Sequence, residues 1–84
     1  MDFQEASEKV KSLSKRPDNS TLLKLYGLFK QGSEGDVQGK RPGMLDVKGR
    51  AKFDAWSKLS GMAKEEAQGQ YINYVQELLQ KDGQ

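Results

Sequence analysis

Residues 18–31 read Asp-Asn-Ser-Thr-Leu-Leu-Lys-Leu-Tyr-Gly-Leu-Phe-Lys-Gln, and this stretch decides the fold class. Its apolar side chains recur at spacings of three and four residues, at Leu22, Leu25, Tyr26 and Phe29. That spacing places them on one face of an amphipathic helix. The oxygens of residues 18–21 can cap its start. Gly32 and Gly35 bracket a polar stretch and predict that the helix ends near residues 31–33.

The same spacing predicts three more helices. The first carries Phe3, Ala6, Val10 and Leu13, and it ends before Pro17 because the residue preceding a proline avoids helical geometry. The third follows a cap at Asp46, carries Val47, Ala51, Ala55, Trp56 and Leu59, and ends at residues 60–61. The fourth begins near Ala63 and carries Ala67, Tyr71, Tyr74, Val75 and Leu78. Gly27 and Gly69 fall inside predicted helices, where we expect them to permit close packing.

A long loop separates the second and third helices. Residues 32–45 contain four glycines and a proline, and no regular element survives that density of breakers. No segment alternates with period two over the length of a strand. The sequence therefore predicts an all-α fold, an up-down four-helix bundle with one long loop between helices 2 and 3, as a single domain over residues 1–84.

The composition excludes several kinds of site. The 84 residues include no cysteine and no histidine, so disulfides, zinc sites of the Cys/His type and nucleophile–histidine pairs are impossible. We therefore expect neither an enzyme nor a metal site. No apolar run approaches the roughly 20 residues of a membrane span, and the acidic start of the chain does not resemble a signal peptide.

The net charge of +2 hides a basic centre. Residues 40–58 hold six cations against two acids, whereas residues 1–39 are balanced and residues 59–84 are acidic. Within this centre Lys48 and Lys52 are four residues apart with no acid at the same spacing, and Tyr26 and Lys30 repeat that spacing in the second helix. Lysines beside aromatic rings suit a ligand with a flat ring and phosphates.

Two other interpretations of these residues stay open at this point. The lysines can be solvated surface and the tyrosines the edge of the core, since charged helix faces usually serve solubility. Alternatively the chain is a small basic helical nucleic-acid-binding domain, although its basic residues are few for a phosphate track. Lys40 and Arg41 lie in the long loop, where we expect a solvated turn.

Three stretches resemble the signature sequences of the acyl-CoA-binding protein family. They are Tyr-Gly-Leu-Phe-Lys-Gln at 26–31, Gly-Lys-Arg-Pro-Gly-Met-Leu-Asp at 39–46 and Lys-Gly-Arg-Ala-Lys-Phe-Asp-Ala-Trp at 48–56. The resemblance covers essentially the whole chain, with the motifs in order. It implies a small intracellular four-helix protein that binds medium- to long-chain acyl-CoA esters and catalyses no reaction of them.

The resemblance also implies roles for individual residues. Tyr26 and Tyr71 would surround the adenine and ribose, and Lys30 and Lys52 would meet the 3′-phosphate together with the Tyr26 hydroxyl. Lys48 and Lys11 match further ligand-contacting positions. Phe29 stands where some members have tyrosine, so it keeps the ring without the hydroxyl. We expect Trp56 mainly in the core, and leucines 22, 23 and 25 are candidates for contacts with the acyl tail.

Two stretches depart from the family pattern. The fourth helix lacks the Ser or Thr cap that family members commonly have, because residues 61–66 read Gly-Met-Ala-Lys-Glu-Glu. Residues 31–36 are more polar than is usual after the lysine. We expect neither departure to touch the phosphate site.

The resemblance thus predicts a cytoplasmic, monomeric acyl-CoA carrier and pool former. Its partner would be long-chain acyl-CoA, bound as a ligand and not as a cofactor. Nucleic acid would not be a partner, and membrane contact would be transient at most.

Overall fold

The computed structural model describes residues 1–83, which form four α-helices and a short 3₁₀ turn. The helices are α1 (Phe3–Lys9), α2 (Asn19–Glu34), α3 (Val47–Ser57) and α4 (Lys64–Lys81), with the turn at Val10–Ser12 after α1. Residues 1–83 contain no β-strand. The prediction of an all-α, four-helix fold with a long α2–α3 loop is therefore confirmed. In this part of the chain no helix is both long and apolar enough to cross a membrane.

The predicted helix caps are present. The Asp18 carboxylate accepts a 2.8 Å hydrogen bond from the Thr21 N–H at the start of α2. At the start of α3, the Asp46 carboxylate accepts a 2.9 Å hydrogen bond from the Gly49 N–H. No side chain caps α4, which starts after Ala63 as the sequence predicts. The first N–H groups of α4 are thus left to solvent.

Three predicted boundaries are wrong. The α-helical part of α1 ends at Lys9, so Leu13 lies beyond the following turn. The predicted end of the third helix, at residues 60–61, lies beyond Ser57, where α3 ends. Helix α2 continues through Gly32 and ends at Glu34, before Gly35 with a φ of 85°. Gly32 is buried, and a Cβ there would lie 3.0 Å from the Gln68 Cγ, so close packing and not a loop explains this glycine.

The hydrophobic core lies between α1, α2 and α4. Its buried members are Ala6, Leu25, Leu28, Ala67, Tyr71, Val75 and Leu79. Helix α2 packs most extensively against α4 and next against α3, while α1 packs against α4. Helix α3 contributes no buried residue. It therefore lies against α2 at the margin of the core and leaves space beside it.

The two helix-interior glycines differ. A Cβ at Gly27 would lie 2.7 Å from the Ala55 carbonyl oxygen, so this glycine lets α3 approach α2. No atom lies within 4 Å of the corresponding position at Gly69. The expectation of close packing is thus confirmed for Gly27 and wrong for Gly69.

A buried glutamine ties the end of α2 to the α3–α4 connection. Gln31 is fully buried, and its Nε2 donates to the Asp36 carboxylate and to the Met62 carbonyl, both at 2.8 Å. The same Asp36 oxygen accepts a 2.8 Å hydrogen bond from the Gly61 N–H. These donors lower the pKa of Asp36, the Gly61 N–H most strongly. This network could not be predicted from the sequence, because a polar side chain on a helix is ordinarily exposed.

Candidate ligand-binding site

An apolar cleft of about 520 Å³ lies between α2 and α3. Its apolar lining residues are Leu23, Leu28, Ala51, Ala55 and Leu59, and its polar ones are Ser20, Lys24, Asp54, Lys58 and Gln70. The cleft exists because α3 presents small residues, Ala51 and Ala55, towards α2. Such a surface can bury an aliphatic chain, at a gain of about 0.8 kcal/mol per buried methylene.

Of the three leucines proposed for the tail, only Leu23 lines this cleft. Leu25 is buried in the core, and both Leu22 and Leu25 border a second concavity instead. The three leucines therefore border two different concavities. Consecutive residues of one helix point in different directions, so they cannot all line one groove.

The second concavity, which we call the aromatic depression, has a volume of about 370 Å³. Its lining residues are Val10, Lys11, Pro17, Leu22, Leu25, Tyr26, Phe29 and Tyr71. Four of the seven predicted ligand-binding residues are among them: Lys11, Tyr26, Phe29 and Tyr71. The structure thus brings together side chains from three regions that lie far apart in the sequence.

Three aromatic rings contact one another beside this depression. The Phe29 ring stacks on that of Phe3 with centroids 5.3 Å apart, and the Tyr71 ring meets Phe3 edge-on at 5.3 Å. Phe29 remains 38% exposed, whereas Tyr71 is only 4% exposed. Burial raises the pKa of the Tyr71 phenol above its ordinary value. Phe29 offers an open face to a planar ligand, and Tyr71 mainly supports it.

Two lysines lie over aromatic rings where α2 faces α3. The Lys52 Nζ is 5.5 Å from the Tyr26 ring centroid, and the Lys30 Nζ is 5.0 Å from that of Trp56. Lys30 and Tyr26 are one helical turn apart on the same face of α2. Tyr26 therefore borders the aromatic depression while standing next to both ammonium groups. Such cation–π contacts are favourable and leave the ammonium hydrogens free to donate to anions.

The remaining predicted lysines are on the surface. Lys48 is exposed one turn before Lys52, and Lys11 is exposed at the edge of the aromatic depression. Among the salt bridges of residues 1–83, none involves Lys48 or Lys52. Both ammonium groups are therefore without a carboxylate partner in this part of the chain.

Lys30, in contrast, is already paired. Its Nζ donates to the Glu34 carboxylate one turn later, and this hydrogen bond raises the pKa of Lys30. Glu34 belongs to the polar stretch 31–36, which we expected not to touch the phosphate site. That expectation is wrong, because α2 continues past Gly32 and brings Glu34 onto the face of Lys30.

Trp56 and Arg41 also differ from expectation. Trp56 is partly exposed and lies outside the core; its indole N–H donates to the Gly35 carbonyl at 2.8 Å. It therefore joins α3 to the end of α2. The Arg41 guanidinium forms a bidentate salt bridge with the Asp54 carboxylate, with hydrogen bonds of 2.9 and 2.8 Å. The long loop is thus fastened to α3 at the rim of the cleft, where a solvated turn was predicted.

The described residues, 1–83, contain no group of three or more acidic, histidine or cysteine side chains that could hold a metal ion. The features that remain are an apolar cleft, an aromatic depression and the lysines between them. Ala51 lines the cleft, its neighbour Lys52 reaches Tyr26, and Tyr26 lines the depression. The Lys52–Tyr26 contact therefore links the two concavities, which share no lining residue and lie on different faces of α2.

Comparison with known proteins gives one consistent family. The family model described as "Acyl CoA binding protein" matches residues 1–75. An acyl-CoA-binding protein homolog of Drosophila melanogaster is 52% identical over 79 residues, covering 94% of this chain and 92% of the relative. Acyl-CoA-binding protein homolog 1 of Caenorhabditis elegans is 48% identical over 83 residues, covering 99% of this chain and 96% of the relative.

Solved structures agree with the sequence relatives. The crystal structure of Oryza sativa acyl-CoA-binding protein 2 superposes with a TM-score of 0.92 at 43% identity, covering 98% of this chain and 89% of that one. The structure of an acyl-CoA-binding protein from Moniliophthora perniciosa superposes with a TM-score of 0.89 at 40% identity, covering 98% and 81%. The chain belongs to the acyl-CoA-binding protein family.

Proposed function

We propose that this protein binds medium- to long-chain acyl-CoA esters and acts as their carrier and pool former. Family membership makes it a binding protein and not an enzyme. The placement of Lys52 over the Tyr26 ring, between the aromatic depression and the apolar cleft, supports this function most directly. An acyl-CoA ester needs these three surfaces together, for its base, its phosphates and its tail.

The headgroup would occupy the aromatic depression and the lysines beside it. We assign the adenine and ribose to Tyr26, Phe29 and the edge of Tyr71. The 3′-phosphate would accept hydrogen bonds from Lys30, Lys52 and the Tyr26 hydroxyl, and hydrogen bonds to a charged phosphate are stronger than neutral ones. Lys11 and Lys48, exposed at either side, would contact the remaining anionic groups.

The acyl tail would lie in the cleft between α2 and α3. Leu23, Leu28 and Leu59 provide its apolar walls, and Ala51 and Ala55 leave the necessary room. Because each buried methylene adds about 0.8 kcal/mol, affinity should rise with chain length until the cleft is filled. A long-chain ester is therefore the expected ligand.

The nucleic-acid alternative finds no support in this arrangement. Two of the cations that it would use, Lys30 and Arg41, are held by Glu34 and Asp54. The net charge of only +2 is also low for a domain that follows a phosphate backbone. We further propose that residues 1–84 are one acyl-CoA-binding domain that works as a cytoplasmic monomer with at most transient membrane contact. Gln84 lies outside the described residues.

Native mass spectrometry of the protein purified from cells tests this function. We expect a fraction of the molecules to carry an added mass that tandem fragmentation identifies as an acyl-CoA. Tyr26→Ala should reduce that fraction, whereas Glu77→Gln on the exposed side of α4 should not. Recovery of co-purified oligonucleotide with no acyl-CoA would reject the proposal in favour of its alternative.

A further inference from the structure

Glu34 neutralises one of the two lysines that the proposed phosphate site needs. It lies in the last turn of α2, and its carboxylate accepts a hydrogen bond from the Lys30 Nζ. Its side chain is 54% exposed and that of Lys30 is 27% exposed, so the pair sits at the surface and not in the core. A bound anion could therefore reach Lys30 only beside the Glu34 carboxylate.

The helix dipole does not account for a carboxylate at this position. The C-terminal end of a helix carries partial negative charge and favours cations, and the last turn of α2 holds none. Apart from Lys30, no cation in residues 1–83 forms a salt bridge with Glu34. The main electrostatic consequence of Glu34 is thus felt by Lys30.

Lys30 has a second contact besides the one with Glu34. Its ammonium lies 5.0 Å from the Trp56 ring centroid, and Trp56 is fixed by the 2.8 Å hydrogen bond from its indole to Gly35. Removal of the Glu34 charge would therefore free the Lys30 donors without releasing the side chain from the α2–α3 junction.

We propose that Glu34 is a specificity-determining residue that competes with the ligand's 3′-phosphate for Lys30 and so weakens headgroup binding. This inference rests on the proposed acyl-CoA function. A ligand phosphate must displace the carboxylate from Lys30 or share the ammonium with it, and two neighbouring anions repel each other. A ligand without the 3′-phosphate does not compete with Glu34 at all.

Calorimetric titration with palmitoyl-CoA and with 3′-dephospho-palmitoyl-CoA tests the inference. We expect Glu34→Gln to bind palmitoyl-CoA about two- to fivefold more tightly, the factor that corresponds to an exposed ion pair. Binding of the dephospho ester should stay unchanged. The matched control is Glu5→Gln, which removes the same charge and an exposed i,i+4 pair with Lys9 on α1; its affinities should equal those of the parent protein.

A second background separates this inference from the function on which it rests. In a Lys30→Ala protein, Glu34→Gln should lose most of its effect on palmitoyl-CoA binding, because the ammonium group for which Glu34 competes is absent. Equal affinity of Glu34→Gln and Glu5→Gln for palmitoyl-CoA would overturn the role of Glu34 while leaving acyl-CoA binding intact. Absence of palmitoyl-CoA binding by the parent protein would overturn both.

Discussion

The Lys52 ammonium lies 5.5 Å from the centroid of the Tyr26 ring, and this contact joins α3 to α2. Tyr26 lines the aromatic depression, and Ala51, the neighbour of Lys52, lines the apolar cleft. A single pair of side chains thus marks the point at which a ligand would change from a polar headgroup to an aliphatic tail.

Lys52→Ala should weaken the binding of palmitoyl-CoA by about 1.5 to 3 kcal/mol, the range for hydrogen bonds to charged groups. Lys52 forms no salt bridge within residues 1–83, so its removal leaves no unpaired partner in the protein. Titration calorimetry measures the loss, with Lys81→Ala as the charge-matched control at the end of α4. An affinity equal to that of the control would mean that Lys52 is an exposed residue that does not contact the ligand.

Lys30 and Lys52 should act together. If both donate to one phosphate, the double variant Lys30→Ala/Lys52→Ala loses less affinity than the two single losses added together. The same titrations, arranged as a double-mutant cycle, give the coupling. Strictly additive losses would indicate that the two lysines contact separate groups of the ligand.

Gly27→Ala and Gly69→Ala should change stability in opposite directions. At Gly69 the added methyl meets no atom, so the helix gains about 0.5 to 1 kcal/mol in the free energy of unfolding. At Gly27 the methyl would lie 2.7 Å from the Ala55 carbonyl oxygen, and forcing α3 away should cost about 1 to 3 kcal/mol. Urea denaturation of both variants measures the difference. Two stabilised variants would contradict the close α2–α3 contact.

Ala63→Ser should stabilise the protein. Ala63 has the extended backbone of an N-cap, with φ −63° and ψ 147°, but it offers no side-chain acceptor to α4. A serine there should add about 1 kcal/mol to the free energy of unfolding. Ala63→Val, which also lacks an acceptor, is the control. Equal stability of the two variants would show that α4 does not use a cap.

Acid should destabilise the protein partly through Asp36. Its pKa is lower in the folded state than in the unfolded chain, so the ionised carboxylate stabilises the fold at neutral pH. That contribution is lost as the pH falls through the folded-state pKa. The pKa values of Asp18 and Asp54 are also lowered, by a backbone N–H of Thr21 and by Arg41 respectively, and act in the same direction.

Asp36→Asn isolates this contribution. The variant should melt at a lower temperature than the parent at pH 7, and the two melting temperatures should converge on acidification. Thermal melts followed by circular dichroism from pH 7 to acid measure both trends. Glu8→Gln, an exposed change on α1, is the charge-matched control. A constant difference across the pH range would show that the Asp36 charge is not involved.

Local sequence signals were sufficient for most of the fold. The caps at Asp18 and Asp46 and the missing cap at Ala63 follow from residue type and position, and the structure has all three. The 3.6-residue periodicity likewise located the four helices. These features depend on neighbours within one turn, which a sequence displays directly.

Features that depend on distant neighbours were missed. Gly32 looked like a helix breaker, but its partner Gln68 lies on α4 and gives it a packing role. Gln31 looked like a surface residue until Asp36 and Met62 were seen to surround it. Periodicity does not show which residues of other helices a side chain will contact. The structural roles of Gly32 and Gln31 were therefore predicted incorrectly.

The same contrast between local signals and later contacts applies to the proposed binding site. Tyr26, Phe29, Lys30 and Lys52 entered the proposed site because they lie on two helices and match family motifs. Glu34 could have been found from its i,i+4 spacing to Lys30, had the predicted end of α2 not been placed too early. The predicted end of α2 therefore decided whether Glu34 could be recognised as the partner of Lys30.

The most direct measurement of the central claim is titration calorimetry of the protein with palmitoyl-CoA, free CoA and palmitate. We expect tight binding of the ester alone, because only the ester has both a headgroup for the depression with its lysines and an aliphatic tail for the cleft. Binding of palmitate with an affinity comparable to that of palmitoyl-CoA would contradict the account.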